Sequence, residues 1–293
     1  MNLAFTVLQI VAPVFILAGV GFAWVKAGFE YRVDFVTRLA MTLSVPCLIF
    51  TALMKTSIDP QALAALSLAA VAAYAALTVA AAVLVKLAGL DFRSYLAPLI
   101  FGNTGNIGLP LALFAFGETG LSYAVVVFAV MAIWSFTFGI WVVSGGGSVT
   151  RALREPLLWA TVLGGLFLWQ GWHTPRWVTN TLELTGQMAI PLMLITLGVA
   201  VARLHPGRLV QAMGLSLVKV ALCVGVAWIF GRAFGLDDTA FAVLVVQIAT
   251  PVAVTSYLLA EKYGADSGAV AGLVVASTLA SVIYLPLILA AVL

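Results

Sequence analysis

The chain has 293 residues, of which 63% are Ala, Val, Ile, Leu, Met, Phe, Trp, Tyr or Cys and only 9% are charged, with a mean hydropathy of +1.16. A soluble domain carries roughly 45–50% apolar and about 25% charged residues, so too little polar side chain is present to cover a water-facing surface, and the sequence reads as an all-α integral membrane protein. The net charge of +3 comes from scattered Lys and Arg without a basic run, which argues against nucleic acid as a partner and leaves the lipid bilayer.

At about 20 apolar residues per crossing, the runs between charges predict ten spans near 3–25, 34–54, 61–88, 94–117, 119–143, 156–172, 177–202, 207–231, 239–262 and 267–292. Met1–Gln9 lacks basic residues and a cleavage site, so the first run is read as a retained span and not as a signal peptide. Alternate loops divide the basic residues unequally. One side collects Lys26, Arg32, Arg38, Lys86, Arg93, Arg151, Arg154, Arg203, Arg208 and Lys262, and the other only Lys55, Arg176 and Arg232. Basic residues are retained in the cytoplasm, so both termini are expected outside it, in the cytoplasmic membrane of the cell. Trp24, Trp159, Trp169, Trp172 and Trp177 fall near span ends and read as interface anchors. Cys47 and Cys223 lie inside apolar runs and read as buried small hydrophobes, while His173 and His205 flank loops and lack metal-ligand spacing. No cofactor or metal is expected.

The only polar linker of note begins Ser144-Gly145-Gly146-Gly147-Ser148, so residues 1–144 form a first five-span half, 145–155 a cytoplasmic linker and 156–293 a second half. An odd number of spans per half forces two copies into opposite orientations. Leu43–Thr51 reads against Met188–Thr196 at an offset of 145, with Pro46 matching Pro191 and Thr51 matching Thr196. Phe116-Gly117-Glu118 likewise matches Tyr263-Gly264-Ala265-Asp266. Two inverted five-helix repeats are a transporter pattern, with access alternating as one bundle rocks against the other.

The fourth and ninth spans are predicted to break. Phe101–Pro110 holds Gly102, Gly105, Gly108, Asn103, Asn106 and Pro110; each Gly costs about 1 kcal/mol relative to Ala in a helix, and Pro about 3. The ninth breaks at Gln247-Ile248-Ala249-Thr250-Pro251. Proline also frees the carbonyl four residues earlier, which belongs to Asn106, Gln247, Gln187 and Thr42 for Pro110, Pro251, Pro191 and Pro46. Two broken helices crossing at mid-depth would aim half-helix N-termini at one cavity, where an anion is the natural occupant. The bland readings are a simple kink at Pro46 or Pro191, close helix packing at the glycines, and Gln and Thr acting as interhelical hydrogen-bond donors. Candidate substrate-binding residues are accordingly Asn103, Thr104, Gly105, Asn106, Pro110, Gln187, Gln247, Thr250, Pro251, Pro46 and Pro191. Lys219 joins them because it falls near the middle of the eighth span, either supplying positive potential to an anion or bonding freed carbonyls as a structural cation. Its partner at the repeat offset is Tyr74, and no Asp or Glu falls near mid-span.

The segments Gly102–Leu111, Leu43–Phe50 and Gln247–Pro251 with Ala260-Glu261-Lys262-Tyr263 resemble the auxin efflux carrier family of permeases, in its short bacterial form, over essentially the whole chain. The resemblance implies crossover helices in spans four and nine, a scaffold from spans one, two, six and seven, and substrate at the crossover. It implies efflux or uptake of a small organic anion, auxin-like or malonate-like, through an elevator motion. The alternatives are a cation-coupled symporter or exchanger of the same architecture and a membrane sensor or channel. An enzyme is not expected, since Asp237-Asp238 is the only acidic pair and reads as a helix start. A homodimer is one assembly the sequence allows.

Overall fold

The computed structural model describes residues 3–55, 58–146, 156–203 and 209–293. Among them there is no strand, only one isolated bridge, and the helices follow the apolar runs. Helix α1 spans Leu3–Lys26, and α2, Val33–Leu39, passes through a π-helical turn at Ala40–Ser44 into α3, Val45–Lys55. Helix α4 is Pro60–Leu87, capped by Asp59. A short α5, Phe92–Ile100, leads to a break, a π turn at Thr104–Gly108 and α6, Leu109–Trp134. A third π turn, Ser135–Gly139, joins α6 to α7, Ile140–Ser144. In the second half α8 is Pro156–Gln170, α9 Arg176–Gln187, α10 Ala189–Arg203 and α11 Leu209–Ala233. Helix α12, Asp238–Ile248, breaks before α13, Val254–Tyr263, and α14 runs Ser267–Val292.

Seven helical runs among the described residues are long and apolar enough to cross a membrane. One of them, Thr104–Ser144, has 41 residues, about twice what a crossing needs. It is interrupted at Gly117, whose φ of 65° and ψ of −156° suit only glycine and turn the chain next to Glu118. The chain is therefore a multi-pass α-helical membrane protein. Its outer face is apolar, with Val79, Val210, Ile229, Ile283 and Leu287 all exposed, the inverse of a soluble surface. The five tryptophans placed at span ends are exposed too. Most of linker 145–155, together with His205 and Arg208, lies outside the described residues.

The helices pack as two groups. In one, α1 lies on α10 and α3 lies on α8 and α9. Glycine permits the close approach: a methyl group on Gly198 would collide with the Ala18 carbonyl, and one on Gly21 with the Ile195 carbonyl. In the other, α4, α5, α6, α11, α12 and α14 pack together, with α5 and α12 almost wholly buried. At 1.5 Å per residue, these helices of 9 and 11 residues are about 14 and 16 Å long, roughly half the hydrocarbon thickness. Arg93 ties the ends of this second group, donating from Nε to the Val143 carbonyl at 3.1 Å and from Nη2 to the Tyr263 carbonyl at 2.7 Å. Outside both groups' cores, Lys55 pairs with Glu183 at 2.5 Å.

Candidate functional site

Both short helices start on an aspartate. Asp91 accepts from the Ser94 N–H and Asp237 from the Ala240 N–H, so each enters the bundle capped and with its far end free. Those far ends meet. Gly102 lies opposite Val252 in an antiparallel bridge, the Asn103 N–H donates to the Pro251 carbonyl at 2.6 Å, and the Ala253 N–H donates to the Phe101 carbonyl at 3.4 Å. Pro251 has no N–H and serves the pairing as an acceptor only. The Val252 N–H turns the other way, to Ser277 Oγ at 3.0 Å. Extended backbone at this depth is tolerated because protein buries it and these bonds satisfy it.

The break is narrower than the glycine and proline content predicts. Only Phe101–Asn103 is unwound; the chain is helical again from Thr104, first as a π turn and from Leu109 as an α-helix. Pro110 is the second residue of α6 and follows directly on that π turn. At the second break, Gln247 is still helical and the unwound residues are 249–253.

Beside the crossing lies a cavity of about 90 Å³, room for a few waters or one small solute. The two helix groups share its walls: α2 and α10 from one, and the first break, α6 and α13 from the other. All three π turns among the described residues border it, through Ala40 and Met41, Gly105 and Asn106, and Ser135 and Phe136. Its polar groups are Thr37, Asn103, Asn106, Ser135, Thr196 and Thr255, and no ionisable side chain lines it. Asn103 is buried and its Nδ2 has no hydrogen-bond partner. The apolar wall includes Phe128, Met131, Met193 and Leu258.

Of the residues singled out from sequence, Asn103, Gly105 and Asn106 line this cavity. Thr104, Pro110, Gln247, Thr250 and Pro251 form the crossing behind it, all buried. Gln247 Nε2 donates to the Ala124 carbonyl at 3.5 Å, and its Oε1 abuts Gly108, where a methyl group would collide with it. Lys219 is buried, does not line the cavity, and donates from Nζ to the Thr250 carbonyl at 2.9 Å. The expected gathering of four proline-freed carbonyls does not occur. Gln187, Pro191 and Thr42 are exposed and Pro46 is half-buried, none of them on the cavity. The physical reason is local: Pro46 follows directly on the π turn at Ala40–Ser44, and Pro191 stands in the first turn of α10 after the joint at Met188, where its missing N–H has no intrahelical bond to lose. Cys47 is half-buried and Cys223 fully, and both are free.

Sequence reasoning missed a vestibule of about 500 Å³ that shares Val33, Ala200, Val254 and Leu258 with the cavity and adds Glu30, Tyr31, Arg32, Asp34, Arg203 and Tyr257. Tyr31 stands between the two spaces. Its hydroxyl shares a hydrogen bond of 2.7 Å with Thr196 Oγ1, and its carbonyl accepts from Arg203 Nη2 at 2.7 Å. Burial pushes the Tyr31 hydroxyl pKa up, against the smaller pull of the Thr196 bond. A signal for Thr196 existed, since it follows Pro191 by five residues as Thr51 follows Pro46; nothing local marks Tyr31 or Met193.

Apolar exterior, buried half-helices and an internal cavity with a few polar groups on a mainly apolar wall together define a multi-pass α-helical membrane protein built around a solute-sized space. A family model described as membrane transport protein matches residues 6–148 and 140–289. The chain belongs to that family, the auxin-efflux-carrier-like group its motifs resemble. It is 29% identical over 198 residues to an uncharacterized transporter of Methanothermobacter thermautotrophicus, covering 63% of each chain. It is 25% identical over 218 residues to another, of Methanocaldococcus jannaschii, covering 69% of this chain and 67% of the relative.

Proposed function

We propose that the protein is a secondary transporter that carries a small organic anion, a carboxylate, through the membrane by alternating access at the cavity. The observation that carries this reading is the position of the cavity between the two helix groups, with the first turns after both breaks on its wall. Those turns present N–H groups and the positive ends of the peptide dipoles, which favour an anion where no cationic side chain lines the site. Asn103 Nδ2 offers one more donor that is otherwise unpaired. Phe128, Met131 and Met193 suit an apolar body on the anion.

The same reading takes the fold as ten spans. Thr104–Ser144 counts as two runs divided at Gly117, α5 completes the fourth span, α8 supplies the sixth, and α12 with α13 forms the ninth. The order long helix, kinked helix, long helix, broken helix, long helix then occurs twice, in opposite orientations, before and after the linker. By the Lys and Arg count, the vestibule with Arg32 and Arg203 opens to the cytoplasm and both termini lie outside it. Movement of the α4–α7 and α11–α14 group past the other would carry the cavity across.

The test is uptake of radiolabelled mono- and dicarboxylates into proteoliposomes, together with a thermal-shift screen of the purified protein against the same acids. Flux that saturates, and a ligand that raises the melting temperature, are expected. Asn106→Leu should abolish both while leaving the protein folded and inserted. Ohmic current without saturation, or wild-type affinity in Asn106→Leu, would overturn the assignment.

A further inference from the structure

Lys219 has a role at the crossing that the cavity does not require. It lies at the middle of α11, 2% exposed, and among the described residues no carboxylate pairs with it. Its ammonium donates to the Thr250 carbonyl at 2.9 Å and lies 3.8 Å from Cys223 Sγ. Thr250 is the last residue before Pro251 and lies just past the carbonyl end of α12. A helix end of this kind carries roughly half a negative charge. In transporters with broken helices, unwound carbonyls and half-helix C-terminal ends are the groups that hold a coupling cation. Gly102 lets the first break come close to the same carbonyl, since a Cβ there would come 3.0 Å from Thr250 O. The first break has no counterpart: Tyr74, at the repeat offset from Lys219, is buried and its hydroxyl has no partner.

We propose that Lys219 is a positioning residue whose tethered ammonium takes the place of a mobile metal cation at the carbonyl end of α12, so that the second break is held without bound sodium. The ammonium neutralises the helix end and satisfies Thr250 O, which in turn keeps Pro251 and Val252 in register with Gly102 and Asn103. It acts on the anion site through the backbone and does not touch the anion. The flux arm of the test rests on the transport reading above; the stability arm does not.

Lys219→Met, Lys219→Arg and Lys219→Ala are compared with wild type for melting temperature in detergent, and wild-type carboxylate flux is measured with sodium and with choline as the only external cation. Loss of a charged hydrogen bond should lower the melting temperature of Lys219→Met by roughly 5–10 °C, and Lys219→Arg, which keeps a cation, should lose less. Propylammonium restores the four heavy atoms missing from Lys219→Ala and should raise its melting temperature, whereas propanol should not. Wild-type flux should be equal in sodium and choline. Wild-type stability in Lys219→Met, equal responses to propylammonium and propanol, or flux that falls in choline would each overturn the proposal. If Lys219→Met cannot be purified, the propylammonium and choline measurements decide. A wild-type protein with no carboxylate flux would refute the transport reading and leave the stability comparison to judge Lys219.

Discussion

Gly102→Ala tests whether the crossing is as tightly built as the geometry states. Gly102 does not have a positive φ, so an alanine backbone could adopt its conformation and only space decides the outcome. The new methyl group would collide with Thr250 Oγ1 and lie 3.0 Å from the Thr250 carbonyl and 3.3 Å from its Cβ. Thr250 cannot simply rotate away, because Oγ1 donates to the Gln247 carbonyl at 2.7 Å and the Thr250 carbonyl accepts from Lys219. The two segments must therefore separate, straining the Asn103–Pro251 and Ala253–Phe101 bonds. Overpacking costs about 1–3 kcal/mol and each weakened backbone bond about 1, so the loss should be roughly 2–5 kcal/mol, or about 5–15 °C in melting temperature. Gly214→Ala is the control: it lies on α11 with nothing within 4 Å of the added methyl, and should gain up to about 1 kcal/mol from helix propensity. Thr250→Ala removes the atom the methyl group meets first, so the double variant should be less destabilised than the sum of the singles. Gly102→Ala at wild-type stability and flux, or strict additivity with Thr250→Ala, would refute the close approach.

Gly198→Ala should lower stability by at least as much as Gly102→Ala, because its methyl group meets the Ala18 backbone, which has no rotamer to change; thermal unfolding checks it. Tyr31→Phe removes the bond to Thr196 at the mouth of the cavity and should change the rate of carboxylate flux while lowering the melting temperature by only a few degrees; unchanged flux would show that Tyr31 does not control entry. In a Cys47→Ser background, Gly147→Cys should resist an impermeant thiol reagent in sealed cells and react after permeabilisation; reaction in sealed cells would invert the orientation.

Much of the fold was legible because the bilayer imposes simple rules on sequence. Apolar runs of about 20 residues need no tertiary information. The breaks at Gly102-Asn103 and before Pro251 were legible for a similar reason, since glycine and proline act on their own backbone. Their extent was not. Thr104–Gly108 is helical despite two glycines, as a π turn that leads directly into α6 and Pro110. Pro46 and Pro191 look like Pro251 in sequence, and local chemistry cannot say whether a freed carbonyl faces a cavity or the outside of the bundle.

The pairing of Asn103 with Pro251, and the meeting of Lys219 with Thr250, depend on which helices touch across 148 and 31 residues of chain. Close approach at Gly102, Gly108, Gly21 and Gly198 is likewise invisible until the facing atoms are known. Tyr31, Met193 and Arg203 carry no local signature, and they matter only because α10 packs on α1 and α2 and so brings them to the rim of the cavity. Hydrophobic run length and backbone-breaking residues are properties of a segment, readable one residue at a time. A cavity is a property of the surfaces left between segments, and the packing of the two helix groups sets its position.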